Sequence, residues 1–324
     1  MMSRIRKIAW IILRRLRPRL IRDGLLNRKI IKMTGIGNKA DKTEVFISVS
    51  HFLENIRTFF PGKTYDYLIA QNFLHDEFVS CRKPKIFFTL EPPPLMTPET
   101  RKNLRSKELQ QYLYRYDEQD IRRRMFYPSL PYRREEIIRK LERSIAEERP
   151  KLCCIINRYS EADELDLLRQ RVNFVEAAGR DIDIYGLEPW SGPNKWTSFP
   201  NYFGASENKQ ETLKRYTFTL SFENCDCDGY ISEKINHAFM AGTIPLYWGG
   251  GSLLKDTLPS NCYIDCRDQD PNLIFEMIKK MSRQDIISYR KAAIDFLKSD
   301  LADRFTYKYL AREIVCRLEA MDRD

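Results

Sequence analysis

The chain has 324 residues, which is too long for one ordinary compact core and predicts two domains of about 150 residues each. Hydrophobic residues make up 43% and charged residues 31%, so the composition excludes a disordered tail and predicts a folded protein. The net charge is +10, and residues 1–32 alone contain eleven Lys or Arg against one acid, Asp23. Because the remaining residues are near neutral, a wide nucleic-acid-binding face on the folded body is not expected.

Apolar residues recur at helical spacing among these N-terminal basic residues. The longest unbroken apolar run, Ile8–Leu13, has six residues, whereas a bilayer span needs about 20. The segment also lacks the small-residue cleavage pattern of a signal peptide. A basic amphipathic helix is typical of a segment that lies on an anionic membrane surface, with a solvated helix or a nucleic-acid-binding arm as alternatives. We therefore predict that residues 1–32 bind peripherally to the inner face of the membrane and that the protein is cytoplasmic.

The first half predicts short strands and charged surface helices. The predicted strands are Val45–Val49, Tyr67–Ala70 and Lys85–Leu90, and the predicted helices are Arg101–Tyr116 and Glu135–Arg149. The third strand ends at Pro92–Pro94, because proline fixes φ and removes a backbone donor. Pro150 interrupts the pattern, so we predict domains over residues 33–150 and 151–324.

The second half repeats the alternation of strands and helices. Its predicted strands are Leu152–Ile156, Ile182–Tyr185, Phe218–Phe222, Thr243–Trp248 and Cys262–Asp265, and its predicted helices are Glu161–Ala178, Ser232–Ala241, Asn272–Met281 and Gln284–Ser299. Such alternation predicts parallel sheets, and two such halves predict an α/β protein with two domains facing a cleft. Ligands of parallel sheets bind at the carboxyl ends of the strands.

Cysteines and paired acids offer no persuasive metal site. The eight cysteines include no CxxC pair and only three histidines accompany them, so a zinc site is not expected and reduced thiols are. The patterns Asp181-Ile182-Asp183 and Asp226-Cys227-Asp228 match a motif that binds metal and nucleotide in a different transferase fold. With 45 acidic residues, chance matches are expected, and we predict metal at neither.

The segment Phe222–Lys234, reading FENCDCDGYISEK, carries the densest chemical signal. A strand delivers Glu223 and Asn224 at its carboxyl end, and a helix then begins near Ser232, a good N-cap residue. A helix N-terminus offers free N–H groups and partial positive charge to a phosphate. Lys234 would add a full charge, while the Glu233 carboxylate could accept hydrogen bonds from sugar hydroxyls. A capped helix with a surface Glu–Lys pair is the structural alternative.

Three pieces of this region resemble the signature of the family 10 α-1,3/4-fucosyltransferases in their bacterial form. They are Phe222-Glu223-Asn224, Tyr230-Ile231-Ser232-Glu233-Lys234 and Ile244-Pro245-Leu246-Tyr247-Trp248-Gly249. The resemblance implies a glycosyltransferase fold of the B type, with two Rossmann-like domains. It places the GDP-fucose donor in residues 151–324 and the acceptor in residues 33–150, and leaves open whether the last helix returns to the N-terminal domain.

The resemblance also implies which residues contact the donor. By motif, Asn224, Tyr230, Glu233 and Lys234 are predicted to bind it. The pattern Arg171-x-x-Phe174 resembles a family helix whose arginine reaches the donor pyrophosphate, and the fork of an arginine suits phosphate. Arg169 is its rival for that role, and ordinary solvated arginines are the structural alternative.

Glu91 is the candidate general base. It follows the aromatic strand KIFFTL and precedes three prolines that would hold it rigidly. A transferase needs a base to remove the proton of the acceptor hydroxyl, and the family's proposed base is a similar strand-end Glu. This chain departs from the family in its three prolines and in having Leu90 where bacterial members commonly have Gly. An exposed loop glutamate is the alternative.

The resulting prediction is an inverting enzyme that transfers L-fucose from GDP-fucose to a glycan hydroxyl. The expected acceptor is GlcNAc or Glc in a cell-surface polysaccharide or lipopolysaccharide, which suits a membrane-surface location. No cofactor should be required, and a divalent metal ion would at most stimulate the reaction. No nucleic acid partner is expected. The alternatives are a transferase of another nucleotide sugar and a non-enzymatic protein that binds membrane or nucleic acid through its basic N-terminus.

Overall fold

The computed structural model describes two units, each of them α/β. It describes residues 32–33, 68–71, 85–88, 90–96, 98–106, 113–114, 126–159, 166–187, 194–310, 312–313 and 316. The predicted strand Val45–Val49 and all but Lys32 of the predicted membrane-surface segment lie outside these residues. The first unit comprises residues 1–88, 97–113 and 314–324, and the second comprises residues 89–96 and 114–313.

Residues 114–150 therefore group with the second unit, whereas the sequence prediction placed them in the first domain. The reason is packing: the amphipathic helix Glu135–Arg143 buries Leu141 in a cluster with Phe239 and Ile294. The assignment of acceptor and donor roles to the two domains stays a prediction.

The sheet of the first unit has four strands. They are β1 (Lys32–Met33), β2 (Leu68–Gln71), β3 (Lys85–Phe88) and β4 (Leu113–Tyr114), in the order β1-β2-β3-β4. The pairs β1–β2 and β2–β3 are parallel. The helix predicted over Arg101–Tyr116 is wrong at Leu113 and Tyr114, which form a strand, and a shorter helix, α1, spans Pro98–Asn103. Strand pairing depends on distant residues, which the local charge pattern does not report.

The second unit contains a five-stranded sheet in which every pair is parallel. Its strands are β5 (Lys151–Ile156), β6 (Ile182–Tyr185), β7 (Tyr216–Leu220), β8 (Ile244–Tyr247) and β9 (Ile264–Asp265), in the order β6-β5-β7-β8-β9. Cys153 of the central strand pairs with Ile182 on one side and with Phe218 on the other. Because all strands run the same way, their carboxyl ends share one edge of the sheet, where ligands of such sheets bind.

The helices of the second unit include one that precedes the sheet, and the others lie between or after its strands. They are α2 (Glu135–Arg143), α3 (Asp166–Ala178), α4 (Lys209–Leu213), α5 (Glu233–Ala241), α6 (Leu254–Thr257), α7 (Pro271–Lys279), α8 (Arg283–Lys298) and α9 (Asp300–Asp303). The predicted cap of α5 is confirmed, since the Ser232 side chain accepts a hydrogen bond from the Lys234 N–H. The helix ends at Gly242, whose φ of 68° is the left-handed conformation that glycine adopts freely.

An aromatic core holds the end of β7 in place. Phe174 on α3 meets Phe222 edge-on with ring centroids 4.9 Å apart, and Phe222 meets Trp248 at 5.7 Å. Edge-to-face pairs of this kind stabilise a core beyond the area they bury. Trp196 is fully buried and donates its indole N–H to the Asn157 carbonyl at 2.9 Å, so it packs the core. Trp190, the other tryptophan of its loop, lies outside the described residues.

Two properties of the described residues bear on location and redox state. No helix in this part of the chain has the length and apolar character that crossing a membrane requires. The seven cysteines that the structure describes are all free thiols.

Candidate functional site

The site is built where β7 ends and the chain turns into α5. Beyond the strand, the backbone stays attached to the next strand, because the Ser221 N–H donates to the Leu246 carbonyl and the Glu223 N–H donates to the Trp248 carbonyl. The intervening loop then returns the start of α5 to the same edge. Sequence-distant polar groups are thereby held beside a parallel-sheet edge, as the sequence predicts.

Glu223 is the centre of this arrangement and is fully buried. Its Oε1 atom accepts hydrogen bonds from the Ser232 N–H at 2.8 Å and from the Tyr247 hydroxyl at 3.1 Å. Its Oε2 atom accepts from the Ser232 hydroxyl at 2.6 Å and from the Lys234 Nζ atom at 3.0 Å. A buried carboxylate is tolerated only when it is paired and hydrogen-bonded in this way. The sequence analysis named Glu223 only as a strand-end residue and did not foresee this role.

The close approach of Gly249 accommodates that carboxylate. A Cβ atom at Gly249 would overlap the Cγ atom of Glu223 and would lie 2.9 Å from the Tyr247 hydroxyl oxygen. Only glycine fits here without displacing the buried glutamate. The Trp-Gly pair that closes the signature is thus explained by packing against the strand end.

The structure places Arg171 next to Asn224, and the sequence analysis predicts that both residues contact the donor. Arg171 is only 4% exposed, and its Nη2 atom donates to the carbonyl oxygens of Phe222 at 2.7 Å and Glu223 at 2.6 Å. The same nitrogen lies 3.1 Å from the Asn224 Oδ1 atom. Arg171 therefore fastens α3 to the strand end, whereas its rival Arg169 is exposed. A contact between Arg171 and a pyrophosphate stays a prediction.

Lys234 is held within the cluster and not displayed on the surface. Its Nζ atom bonds to Glu223 and also to the Ser232 hydroxyl at 3.0 Å. Burial by itself would lower the pKa of Lys234, but the carboxylates of Glu223 and Glu233 outweigh it and raise that pKa. The ammonium group is therefore charged at every ordinary pH.

The side chains that lower the pKa of Glu233 are all basic, and Lys234 is one that it shares with Glu223. The Lys209 Nζ atom lies 4.0 Å from the Glu233 Oε1 atom. Burial acts to raise the pKa of Glu233, but Lys234, Lys209 and His237 together lower it to about 2. The same surroundings act on His237, where burial and then Lys209 lower the pKa to about 4. Glu233 is thus an anion and His237 is neutral at pH 7.

A small, partly open cavity lies at this edge of the sheet. Arg171, Lys209 and Lys234 all line it, together with the polar residues Asn157 and Ser221. Three basic side chains around one cavity make it suitable for an anion. Lys209 was missed by the sequence analysis, and the only local signal was its place directly after the helix-capping Asn208.

Glu91, the buried Tyr230 and the half-buried Tyr127 lie near the same cluster. Tyr230 is 2% exposed, and burial followed by the carboxylates of Glu91, Glu223 and Glu233 raises its pKa. Burial, then Glu233 and Glu91, raise the pKa of Tyr127, which the sequence analysis also missed. Glu91 is half-buried and directly precedes a turn that the Leu95 N–H closes by donating to the Pro92 carbonyl at 2.9 Å. The structure therefore brings Glu91 and Tyr230 together, and both phenols stay protonated.

The Asp-x-Asp pattern of the signature loop bonds to protein groups. Asp226 accepts from the Trp248 indole at 3.1 Å, from the Gly251 N–H at 2.9 Å and from Arg267 at 2.7 Å. Asp228 accepts from the backbone N–H of Ser252 at 2.6 Å and from its hydroxyl at 2.9 Å. Both carboxylates thus hold the glycine-rich turn after β8.

Comparison with known proteins agrees with this geometry. Residues 146–291 match the model of the family described as glycosyltransferase family 10 (fucosyltransferase), C-terminal part. This part of the chain belongs to glycosyltransferase family 10. The matched residues include β5 to β9 and the whole site from Phe222 to Lys234, so the resemblance in the signature is confirmed.

Curated relatives of the family 10 domain are fucosyltransferases that match part of the chain. An alpha-(1,3)-fucosyltransferase of Helicobacter pylori is 33% identical over 133 residues, which are 38% of this chain and 26% of that enzyme. The GDP-fucose protein O-fucosyltransferase 3 of Gallus gallus is 44% identical over 54 residues, which are 17% of this chain and 11% of that protein. The matches thus span about a quarter and about a tenth of these relatives' lengths.

Solved structures extend the likeness to the whole fold. An α1,3-fucosyltransferase crystal structure superimposes with a TM-score of 0.54 at 17% identity, covering 90% of this chain and 91% of that one. Its complex with GDP-fucose gives a TM-score of 0.52 over 89% and 90% of the two chains. The chain therefore has a glycosyltransferase fold of the B type, and the predicted α/β fold class is confirmed.

Proposed function

We propose that the family 10 domain makes this chain an inverting fucosyltransferase, which transfers L-fucose from GDP-fucose to a hydroxyl group of a glycan. The observation that carries the proposal is the assembly at the end of β7, where Glu223 fixes the start of α5 beside a cavity lined by basic side chains. The relatives with matching segments are fucosyltransferases, and one structure of the same fold contains GDP-fucose.

The donor is proposed to bind at this assembly. The N-terminus of α5 and Lys234 would stabilise the diphosphate, because both present positive charge at the sheet edge. Arg171 would contribute to the same positive potential from beneath Asn224. The ionised Glu233 can accept hydrogen bonds from sugar hydroxyls, and the protonated Tyr230 can donate one. These are the contacts that the motif resemblance predicts.

Glu91 is proposed as the general base. Its carboxylate would take the proton of the acceptor hydroxyl while that oxygen forms a bond to the anomeric carbon of fucose. The bond from that carbon to the diphosphate oxygen breaks, and its electron pair leaves with GDP. Cations near the diphosphate stabilise the charge that develops there. A single displacement inverts the anomeric carbon without a covalent intermediate.

No metal or cofactor is assigned a step in this reaction. The basic side chains and the helix N-terminus offer the charge that a divalent ion supplies in other transferases. We expect full turnover after chelation with EDTA and at most modest stimulation by added Mg²⁺ or Mn²⁺. Loss of turnover on chelation, restored by metal, would overturn this expectation.

The acceptor is proposed to be GlcNAc or Glc in a cell-surface polysaccharide or lipopolysaccharide. The basic segment over residues 1–32 motivates a place on the inner face of the membrane, where lipid-linked glycans could meet the enzyme. Sedimentation with anionic liposomes should fall when residues 1–32 are removed, and equal sedimentation would refute the membrane contact.

A polypeptide hydroxyl is a second candidate acceptor. It is favoured by the short matches to protein O-fucosyltransferase 3 of several vertebrates. GDP release from GDP-fucose with glycan and peptide panels distinguishes the two acceptor classes. GDP-mannose in place of GDP-fucose tests whether another nucleotide sugar serves as donor.

Substitution of Glu91 tests the mechanism. We expect Glu91→Gln to lower the transfer rate by about 10²–10⁴-fold, because general base catalysis contributes on that order. The affinity for GDP should change by less than about twofold, since the base meets the acceptor and not the nucleotide. Glu99→Gln, an exposed glutamate on α1, is the matched control. Transfer by Glu91→Gln at the wild-type rate would exclude Glu91 as the base.

A further inference from the structure

We propose that Lys209 binds the diphosphate of the donor directly and stabilises it as the glycosidic bond breaks. This inference rests on the proposed function, because it needs a nucleoside diphosphate sugar in the cavity. Lys209 is not part of the signature motif. It is the first residue of α4, which precedes β7 in the chain. The assignment follows from how the three cations of the cavity are already engaged.

Two of these cations have protein partners at close range. The Arg171 Nη2 atom donates hydrogen bonds to the carbonyl oxygens of Phe222 and Glu223, at 2.7 and 2.6 Å. Lys234 gives hydrogen bonds to the carboxylate of Glu223 and to the hydroxyl of Ser232, both at 3.0 Å. Both side chains therefore also support the cavity wall, with part of their N–H donors committed to protein groups.

Lys209 is engaged far more weakly. Its Nζ atom lies 4.0 Å from the Glu233 Oε1 atom, beyond hydrogen-bond range. Within the described part of the chain, this Nζ atom gives no hydrogen bond. Three N–H donors of an ammonium group thus remain for a ligand, on a side chain that is 32% exposed at the cavity. An ammonium group in this state suits a phosphate as a point charge.

The electrostatics of the cavity favour an incoming anion at the same place. Burial lowers the pKa of Lys209, and Lys234 lowers it further, while Glu233 opposes the change. A charged amine that is partly desolvated beside a second cation is stabilised when an anion binds. The diphosphate would supply that charge, and the charge would grow as the bond to fucose breaks.

The helix holds Lys209 at the sheet edge. The Asn208 side chain caps α4 by accepting from the Gln210 and Glu211 N–H groups at 3.0 and 3.2 Å. Gln210 in turn donates to the His237 carbonyl at 3.2 Å, which ties α4 to α5. Lys209 is thereby placed beside the residues of the signature without belonging to the motif.

The test compares how the wild-type protein and Lys209→Ala bind GDP, guanosine and GDP-fucose in calorimetric or competition assays. We expect Lys209→Ala to weaken GDP by about 10- to 100-fold and guanosine by less than about threefold, because charge-assisted contacts are among the strong ones. The value of kcat should also fall, since the contact strengthens in the transition state. Lys209→Arg should restore affinity to within about fivefold of wild type.

Two controls keep the result specific. Lys214→Ala removes a lysine from the opposite end of the same helix, one that pairs with Glu211 on the surface, and should leave GDP affinity unchanged. Lys209→Met keeps the aliphatic stem and replaces the alanine variant if thermal unfolding shows that alanine disrupts the fold.

Each other outcome has a definite meaning. If wild-type protein binds no GDP, the proposed function fails. If wild type binds GDP and Lys209→Ala binds it equally well, only the Lys209 inference fails. If the loss appears for GDP-fucose but not for GDP, Lys209 acts by positioning Glu233, and direct diphosphate binding is overturned. Equal losses for GDP and guanosine would likewise overturn it.

Discussion

The signature segment Phe222–Lys234 contains carboxylates in two different surroundings, one buried and one partly exposed to solvent. At one end, Glu223 is fully buried and accepts four hydrogen bonds from Ser232, Tyr247 and Lys234, a group called here the strand-end cluster. In the middle of the segment, the Asp226 side chain is 23% exposed and Asp228 is exposed. These two carboxylates bond to Trp248, Gly251, Ser252 and Arg267, and the whole group is called here the turn cluster.

This difference in burial indicates which of the two clusters positions the residues of the site. If a buried carboxylate or one of its partners is removed, a charged or polar group is left unpaired in the interior, which is costly. The groups of the strand-end cluster therefore have to be present together. Half-exposed ion pairs contribute little, because water screens them. The strand-end cluster therefore fixes where α5 begins, while the turn cluster only confines the loop that follows β8.

The largest expected effect is at Glu223. Glu223→Ala should lower the free energy of unfolding by about 3 kcal/mol, because it leaves Lys234 partly buried without its carboxylate and removes the acceptor of Ser232 and Tyr247. Urea denaturation followed by circular dichroism measures the change.

The control for Glu223 is Glu211→Ala, which removes an exposed carboxylate paired with Lys214. It should change stability by less than about 0.5 kcal/mol. Equal losses for the two variants would break the comparison, since they would mean that the buried cluster is worth no more than a surface pair.

A smaller effect is expected in the turn cluster. Asp226→Ala should lower the free energy of unfolding by about 1.5 kcal/mol, because it leaves the Trp248 indole and the Gly251 N–H without their acceptor. Asp228→Ala should cost less, at about 0.5 kcal/mol, since Ser252 can bond to water instead. A loss at Asp226 as large as that at Glu223 would contradict the ranking.

A different kind of effect is a pH dependence at His237, beside Glu233 and Lys209. Its folded pKa of about 4 lies below the unfolded value of about 6.5, so the unfolded chain takes up a proton first as pH falls. The contribution of the neutral imidazole is present above pH ~6.5 and is lost as pH falls toward ~4. Between pH 7 and 5, wild type should therefore lose about 2 kcal/mol more stability than His237→Gln. Identical pH profiles would show that His237 is not held neutral.

Local signals in the sequence were enough for the elements around the site. The strand Ile182–Tyr185 and the cap at Ser232 could be predicted because apolar alternation and capping involve residues a few positions apart. Leu113–Tyr114 could not, because its strand character comes from pairing with another strand. Long-range geometry sets such elements, and composition within a window does not report it.

The same distinction between local and long-range signals applies to the residues of the site. Motif resemblance pointed to Tyr230, Glu233 and Lys234, but it could not foresee that Lys234 would bond to Glu223, eleven residues earlier in the chain. Lys209 and Tyr127 enter the site only through folding, Lys209 from the start of α4 and Tyr127 from the segment before α2. A single sequence carries no sign of such contacts.

The most direct measurement is the affinity of the purified protein for guanine nucleotides, read by isothermal titration calorimetry with ADP as the control. If the end of β7 and the start of α5 hold a guanosine diphosphate sugar, GDP and GDP-fucose should bind with one site per chain and ADP at least about tenfold more weakly, a difference of about 1.4 kcal/mol. Absence of heat with GDP, or equal affinities for GDP and ADP, would contradict the central claim.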